Sequence, residues 1–139
     1  MTTRVHLDDE VRRFLEEPRI AVLATVNPDG APQLSAIWYE LQEEVILMNT
    51  RRGRLKDRNL RRDARCSLCV EDGYRYVTIR GIAQLIDDQE VAQADIKHLS
   101  ARYHGMDIAE RQVREQFSKE HRVTIHMSID RISLYGFGK

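Results

Sequence analysis

The chain has 139 residues, with 22 Lys plus Arg against 22 Asp plus Glu, and its formal net charge is zero. This length predicts one domain, residues 1–139, that is large enough to bury a hydrophobic core. The charge balance argues against non-specific nucleic-acid binding, and no apolar run approaches the length of a membrane span. The N-terminal segment is polar and acidic and lacks the apolar core of a signal peptide, so we expect a cytoplasmic protein.

The first part of the chain predicts a short helix followed by a β-hairpin. Apolar residues repeat at helical spacing over 7–17, and Pro18 ends the helix. Strands are predicted over 19–26 and 32–41, and Asn27-Pro28-Asp29-Gly30 between them has the residues of a tight turn. The first strand is almost entirely apolar, so we expect both of its faces to be covered.

Alternation along the second strand separates two sets of side chains. Leu34, Ala36 and Trp38 share one face, which we assign to the core because it is apolar. Gln33 and Ser35 lie on the opposite face, where an amide and a hydroxyl are side by side. From the residues alone, this polar face is either solvated or a binding surface.

The most informative segment is a predicted strand at 45–48 that leads into a strongly basic helix at 51–62. A helix N-terminus attracts anions because its first N–H groups are unpaired and its dipole is positive there. Arg54 and Lys56 place two cations in the first turns, so the segment predicts a phosphate-binding site. A nucleic-acid surface and a solvated helix face stay open as alternatives, although no stacking aromatic occurs in residues 49–65.

The rest of the chain predicts further strands and two helices. The patterns indicate strands over 65–71, 74–86 and 122–129 and helices over 87–103 and 107–117, with 132–135 as a candidate extension of the last strand after a bend. The sum is six or so strands, mainly antiparallel and Greek-key-like, because the early connections are hairpins. This favours an α+β domain on a β-barrel or strongly curved sheet over a doubly wound parallel sheet.

Several catalytic and metal-binding patterns find no support. Cys66 and Cys69 have CxxC spacing, but an offset of three in a strand places them on opposite faces, so we expect ordinary thiols. The five histidines are scattered, which gives no metal site. No P-loop, G-x-G-x-x-G or G-x-S-x-G motif occurs, and no residue is singled out as catalytic.

Two segments together resemble a known family. Residues 21–35 (AVLATVNPDGAPQLS) resemble the opening hairpin of the pyridoxamine phosphate oxidase-like proteins. Residues 56–63 (KDRNLRRD) are similar to the branch of that family that uses the deazaflavin coenzyme F420 in actinobacteria. The resemblance covers about residues 5–135. It implies a split β-barrel homodimer with flanking helices and two cofactor sites at the subunit interface.

The resemblance implies a phosphate-binding role for part of the basic segment. Arg54 and Lys56 are expected to bind the cofactor phosphate, with support from Asn49 and Thr50. Asn59 is expected to hold the helix start or the cofactor tail. These roles follow from the positions that match the family's strand–helix motif.

The resemblance also implies residues around the tricyclic ring of the cofactor. Gln33 and Ser35 are expected to hydrogen-bond the ring, and Pro32 is expected to shape the pocket edge beside them. Tyr74 and Tyr76 correspond to aromatic residues that reach the cofactor from the partner subunit.

The implied cofactor is F420, with FMN as the alternative. The chain has no long charged insertion that by itself selects the polyglutamate tail of the deazaflavin, although Arg51, Arg52 and Arg58 are candidates for binding it. The implied activity is hydride transfer between reduced deazaflavin and a small unsaturated substrate such as an enone, quinone or tetrapyrrole. An FMN-dependent oxidoreductase and a non-catalytic cofactor- or heme-binding protein are the alternatives. We expect neither a nucleic-acid nor a membrane partner.

Overall fold

A computed structural model describes residues 5–138 of the chain. Its elements follow the order α1 (Asp9–Glu16), β1 (Ala21–Val26), β2 (Pro32–Ile37), β3 (Glu40–Gln42), β4 (Val45–Arg51), α2 (Leu55–Arg62), β5 (Arg65–Glu71), β6 (Tyr76–Ile86), α3 (Gln89–His104), α4 (Met106–Glu115), a 3-10 turn (Phe117–Lys119), β7 (Arg122–Ser128) and β8 (Arg131–Tyr135). Among these residues, no helix is both long enough and apolar enough to span a bilayer.

The strands form one curled antiparallel sheet. Its order is β2-β1-β5-β6-β7-β4-β3, with β8 paired to β6. The sheet closes into a half-barrel with four flanking helices, which confirms the predicted α+β split barrel. The domain boundaries 1–139 and the dimer stay predictions.

The long strand β6 turns the sheet from one half of the barrel to the other. It pairs with β5 and β8 over its first part and with β7 over its last four residues. Gly81 lies between the residues of β6 that pair with β8 and those that pair with β7, and a Cβ added to it would lie 1.8 Å from the carbonyl oxygen of Ser128. Only glycine therefore permits this close approach of the two backbones. The approach brings β7, and with it β4, into the barrel.

The core fills the inside of the curled sheet and is covered by α1. Phe14 and Leu15 of α1 are buried against strand residues such as Leu23, Leu68 and Ile79. The helix lies where the apolar spacing predicted it. Its N-terminus is capped by Asp8, whose carboxylate accepts a hydrogen bond from Val11 N at 3.0 Å.

The predicted strand 32–41 is two strands. β2 pairs with β1, whereas β3 pairs with β4 in the other half of the barrel. Between them, Tyr39 N donates to the hydroxyl of Tyr103 at 3.0 Å rather than to a neighbouring strand. Residues 131–135 likewise form a separate strand on β6 rather than an extension of β7. Residues 5–138 therefore contain eight strands rather than about six. Contacts between residues distant in sequence decide where the pairing of two strands ends.

The structure reverses the predicted faces of β2. Ile37 is buried in the core and lies on the same face as Gln33 and Ser35, which are half-buried. Leu34, on the face assigned to the core, is 61 % exposed. Val22 of β1 is also exposed, so β1 is covered on one face within this chain. Apolarity alone does not say whether a face is covered by the same chain.

Candidate functional site

The predicted phosphate-binding segment is a strand, a glycine turn and a helix start. β4 runs on to Arg51 instead of ending at 48, because residues 49–51 pair with 122–124 of β7. The chain turns at Gly53, whose φ of +92° glycine adopts readily. The helix α2 accordingly begins at Leu55 rather than at 51.

A buried carboxylate fixes this turn. Asp57 is 1 % exposed, and its Oδ2 accepts a hydrogen bond from Gly53 N at 2.8 Å. Its Oδ1 accepts from Arg61 Nε at 2.9 Å. The acid of the first turn thus pairs with Arg61. Arg54 and Lys56 have no ion-pair partner within residues 5–138.

Arg54 and Lys56 line a cavity of about 310 Å³ between the sheet and the helices α3 and α4. Four cationic side chains contribute to its wall: Arg51, Arg54, Lys56 and Arg122. Apolar side chains from β2, α3 and the 3-10 turn form the rest of the wall, among them Trp38, Ile96, Leu99 and Phe117. The cavity therefore has a cationic part and an apolar part, as a ligand with an anionic group and a planar ring requires.

The cations in the cavity lie close to one another and are partly removed from water. Burial lowers the pKa of Lys56 below its usual value, and the charges of Arg54 and Arg122 lower it further. Arg122 is 7 % exposed, and burial lowers its pKa although Glu120 accepts from its Nη1 at 2.7 Å. Both shifts indicate a site where positive charge is in excess, which favours a bound anion.

Asn49 and Thr50 lie in the wall of the same cavity. The side-chain amide of Asn49 makes hydrogen bonds within the chain: Nδ2 donates to Ala92 O at 2.9 Å and to Thr124 Oγ1 at 3.4 Å. Its Oδ1 accepts from Arg122 Nε at 3.0 Å. Thr50 is buried. The side chain of Asn49 thus connects β4 to α3, to Thr124 of β7 and to the guanidinium of Arg122.

Asn59 is fully buried and lines neither of the two cavities described here. Its Nδ2 donates to Thr25 Oγ1 at 3.0 Å and to Asn27 Oδ1 at 2.9 Å. Its Oδ1 accepts from Arg62 Nη1 at 3.2 Å. These bonds tie α2 to the end of β1, so Asn59 holds the helix that carries Lys56.

The residues expected near the ring lie apart from this cavity in the single chain. Gln33 and Ser35 do not line the cavity, whose wall this part of the chain reaches through Ala36 and Ile37 of β2 and through Trp38, which follows the strand. Pro32 lines a second cavity of about 550 Å³ on the outer side of the sheet. Four of the predicted residues therefore line one cavity: Asn49, Thr50, Arg54 and Lys56. Pro32, Gln33 and Ser35 do not line it.

Tyr74 and Tyr76 lie outside both cavities. Tyr74 is in the turn before β6, where its N–H and that of Arg75 donate to Asp72 Oδ1, and its side chain is 86 % exposed. Tyr76 stacks on Tyr135 with ring centroids 5.4 Å apart. The turn explains why β6 begins at Tyr76 rather than at 74.

Most other basic residues of the segment are paired within the chain. Arg61 also donates to Asp87, as does Arg52. Arg65 pairs with Asp63 at 2.7 Å. Carboxylates of the described residues therefore neutralise part of the basic segment, whereas Arg54 and Lys56 at the cavity have no ion-pair partner among those residues.

Sequence reasoning missed Arg122 and Trp38 as cavity residues. Arg122 stands at the start of an alternating strand pattern, where a charged residue normally faces solvent. Its burial depends on the pairing of β7 with β4 and on the cover given by α3. No local signal predicts either contact.

The two cysteines lie on opposite faces of β5, as the spacing predicts. Cys66 is buried, Cys69 is half-buried, and both are free. Burial raises the pKa of Cys66 to about 12. Across residues 5–138 no group of three or more His, Cys, Asp or Glu side chains is arranged to hold a metal ion.

Comparison with known proteins gives one family and a set of similar structures. The model of the family described as pyridoxamine 5'-phosphate oxidase matches residues 7–135. The conserved hypothetical protein Rv2991 from Mycobacterium tuberculosis is 30% identical with a TM-score of 0.79, over 96% of this chain and 89% of that one. A protein described as an F420 reductase is 28% identical with a TM-score of 0.75, over 91% and 98%. The heme storage protein HutZ from Vibrio cholerae, 20% identical with a TM-score of 0.72 over 96% and 98%, shares the fold.

Proposed function

Because the chain belongs to the pyridoxamine 5'-phosphate oxidase family, we propose that it is an oxidoreductase that uses the deazaflavin coenzyme F420. The family binds flavin-type cofactors and includes oxidoreductases. The substrate class we propose is a small unsaturated molecule such as an enone, a quinone or a tetrapyrrole. FMN in place of F420 is the second candidate.

The unpaired Lys56 carries this proposal. It is a half-buried ammonium beside Arg54 and Arg122 in the cavity wall, and no carboxylate of residues 5–138 pairs with it. A cation held in this way is costly unless an anion binds beside it. The phosphate of a flavin or deazaflavin supplies such an anion, and the apolar wall next to it suits the ring system.

Two observations favour F420 over FMN. Residues 56–63 are similar to the branch of the family that uses F420, and the similar structure at 28% identity is described as an F420 reductase. FMN stays the second candidate cofactor because its terminal phosphate could bind the same cations. When bound, the deazaflavin supplies the hydride. The chain binds the phosphate, orients the ring and excludes water, and we name no catalytic side chain.

We propose that the protein is a homodimer whose cofactor lies at the subunit interface. The outer face of the sheet carries exposed apolar side chains on neighbouring strands: Val22, Leu34, Tyr76, Ile82 and Tyr135. Exposed apolar side chains gathered on one sheet face favour an interaction surface. A second copy covering it would bring Tyr74 and Tyr76 of one subunit toward the cofactor of the other, as the family resemblance implies.

The test is a titration of the purified protein with F420 and with FMN, side by side. Trp38 is the single tryptophan of the chain and lines the cavity, so quenching of its fluorescence reports binding. We expect F420 to bind more tightly than FMN. Lys56→Met should weaken binding of F420 about tenfold or more, the value of a lost charge-assisted hydrogen bond. Lys119→Met, which removes an exposed lysine from outside the cavity, is the matched control.

Three outcomes would contradict the proposal. Tighter binding of FMN than of F420 would show that FMN is the cofactor. Equal affinity of the parent and the Lys56→Met variant would show that Lys56 does not bind the phosphate. Oxidation of reduced F420 by a panel of enones, quinones and tetrapyrroles tests turnover. Binding without oxidation by any acceptor would favour a carrier protein.

A further inference from the structure

We propose that Arg122 is a further anion-binding residue of this cavity and that Asn49 acts through it as a positioning residue. The inference deepens the function proposed above, on which it rests only for the identity of the ligand. The ligand group is a phosphate or a similar oxyanion with at least two accessible oxygens. Neither residue's role in this arrangement follows from the strand–helix motif, since Arg122 lies on β7, far along the chain.

The guanidinium of Arg122 is held in place on two sides. Nε donates to Asn49 Oδ1 at 3.0 Å and Nη1 donates to Glu120 Oε1 at 2.7 Å. Phe117 lies under the guanidinium, 5.1 Å from its carbon to the ring centroid. Nη2 donates to no residue between 5 and 138. Because a guanidinium is a planar fork of donors and Arg122 lines the cavity, Nη2 is the group available to a ligand there.

The charges around Arg122 are unbalanced. Glu120 is the one carboxylate of the described residues within ion-pair distance of the four cavity cations, at 2.7 Å from Arg122 and 3.7 Å from Arg51. Arg54 and Lys56 have no such partner in this part of the chain. Glu120 alone does not neutralise the four cations of the cavity. A bound oxyanion would therefore offset the remaining repulsion among them. The two N–H bonds of Nη2 could each donate to one oxygen of the anion, which would fix its orientation.

Asn49 has no donor left for a ligand. The two N–H bonds of its amide are used by Ala92 O and Thr124 Oγ1, and its oxygen accepts from Arg122 Nε. Its effect on an anion must therefore pass through the position of Arg122. This differs from a direct contact with the phosphate and gives a distinct experimental signature.

The experiment measures the affinity for inorganic phosphate and for F420 by calorimetry, using the full chain and five variants. Arg122→Gln should weaken both ligands about tenfold or more, and Arg122→Lys should recover part of the loss because the charge returns without the planar fork. Asn49→Ala should weaken both severalfold in the parent. In the Arg122→Gln background it should have no further effect, since coupled residues are not additive. Arg114→Gln, an exposed arginine on α4 outside the cavity, is the control for lost charge.

Glu120→Gln supplies a test that keeps Arg122 in place if Arg122→Gln fails to fold. Removing the competing carboxylate should tighten phosphate binding severalfold, whereas a purely structural pair predicts equal or weaker binding. Unchanged affinity in a folded Arg122→Gln variant overturns the inference, as do additive effects of the Asn49 and Arg122 substitutions. Failure of the parent to bind either ligand also overturns it. Loss of F420 binding alone, with phosphate binding still dependent on Arg122, refutes the proposed cofactor and leaves the anion-binding role standing.

Discussion

Replacing Lys56 with Met is expected to stabilise the ligand-free protein while it weakens anion binding. Met keeps most of the apolar stem of Lys, so little packing is lost. The substitution removes a half-buried charge and its repulsion from Arg54 and Arg122. A screened charge pair is worth about 0.2–1 kcal/mol, so two repulsions and part of the desolvation cost give a gain of roughly 0.5–2 kcal/mol. For a chain of this length the gain is a rise in Tm of about 2–8 °C.

The effect of pH on this gain has a definite sign. The pKa of Lys56 is lower in the folded protein than the usual 10.5, so the folded state loses its proton first as the pH rises. In that window the unfolded state binds more protons, and the free energy of unfolding of the parent rises with pH. The destabilisation by Lys56 is fully present below its folded-state pKa and is lost as the pH rises through that pKa to above 10.5. The difference between variant and parent should therefore shrink as the pH rises.

The assay is thermal unfolding in a phosphate-free buffer, with and without added phosphate or F420. A ligand at about 100 times its Kd stabilises the parent by about 2.7 kcal/mol, so saturation should reverse the order of the two proteins. Lys119→Met should shift neither measurement. A variant that is less stable than the parent without ligand, or a difference that does not change with pH, would refute the electrostatic reasoning.

Three further predictions concern other parts of the molecule. Asn59→Ala should lower the free energy of unfolding by about 1–3 kcal/mol in chemical denaturation, because it removes the buried amide that ties α2 to Thr25; a neutral effect would show that α2 is held otherwise. Leu34→Asp should convert the proposed dimer to a monomer in light scattering, since it places a charge on the exposed apolar face; an unchanged mass would locate the interface elsewhere. Cys66 should resist alkylation at pH 8 in the folded protein, because burial raises its pKa to about 12, whereas unfolding should expose it; labelling at the rate of a free thiol would contradict its burial.

Local patterns were sufficient for most of the helices and strands and for the α+β class. Apolar spacing placed α1 and α3, the turn residues placed the first hairpin, and the resemblance of residues 21–35 and 56–63 to the family led to the split barrel. The residues that form each pattern lie within one short segment. The patterns can therefore be recognised without knowing what that segment contacts in the folded protein. Arg54 and Lys56, two cations near the helix start that line the cavity, were identified from the same kind of local signal.

Contacts distant in sequence decided the rest. The end of β4 depends on its pairing with β7, and the orientation of β2 depends on which side of the sheet the chain itself covers.

By itself, the sequence indicated an α+β domain, the first hairpin and the cationic helix start through short-range spacing, and its resemblance to the family implied the split barrel. Only the tertiary structure decided that Arg122 and Lys56 line one cavity and that the amide oxygen of Asn49 accepts a hydrogen bond from Arg122. It also decided that Asn59 ties the helix to β1. The physical reason is burial. Charge and hydrogen-bonding capacity are visible in a sequence, but whether a group is desolvated and already paired depends on the segments that fold over it.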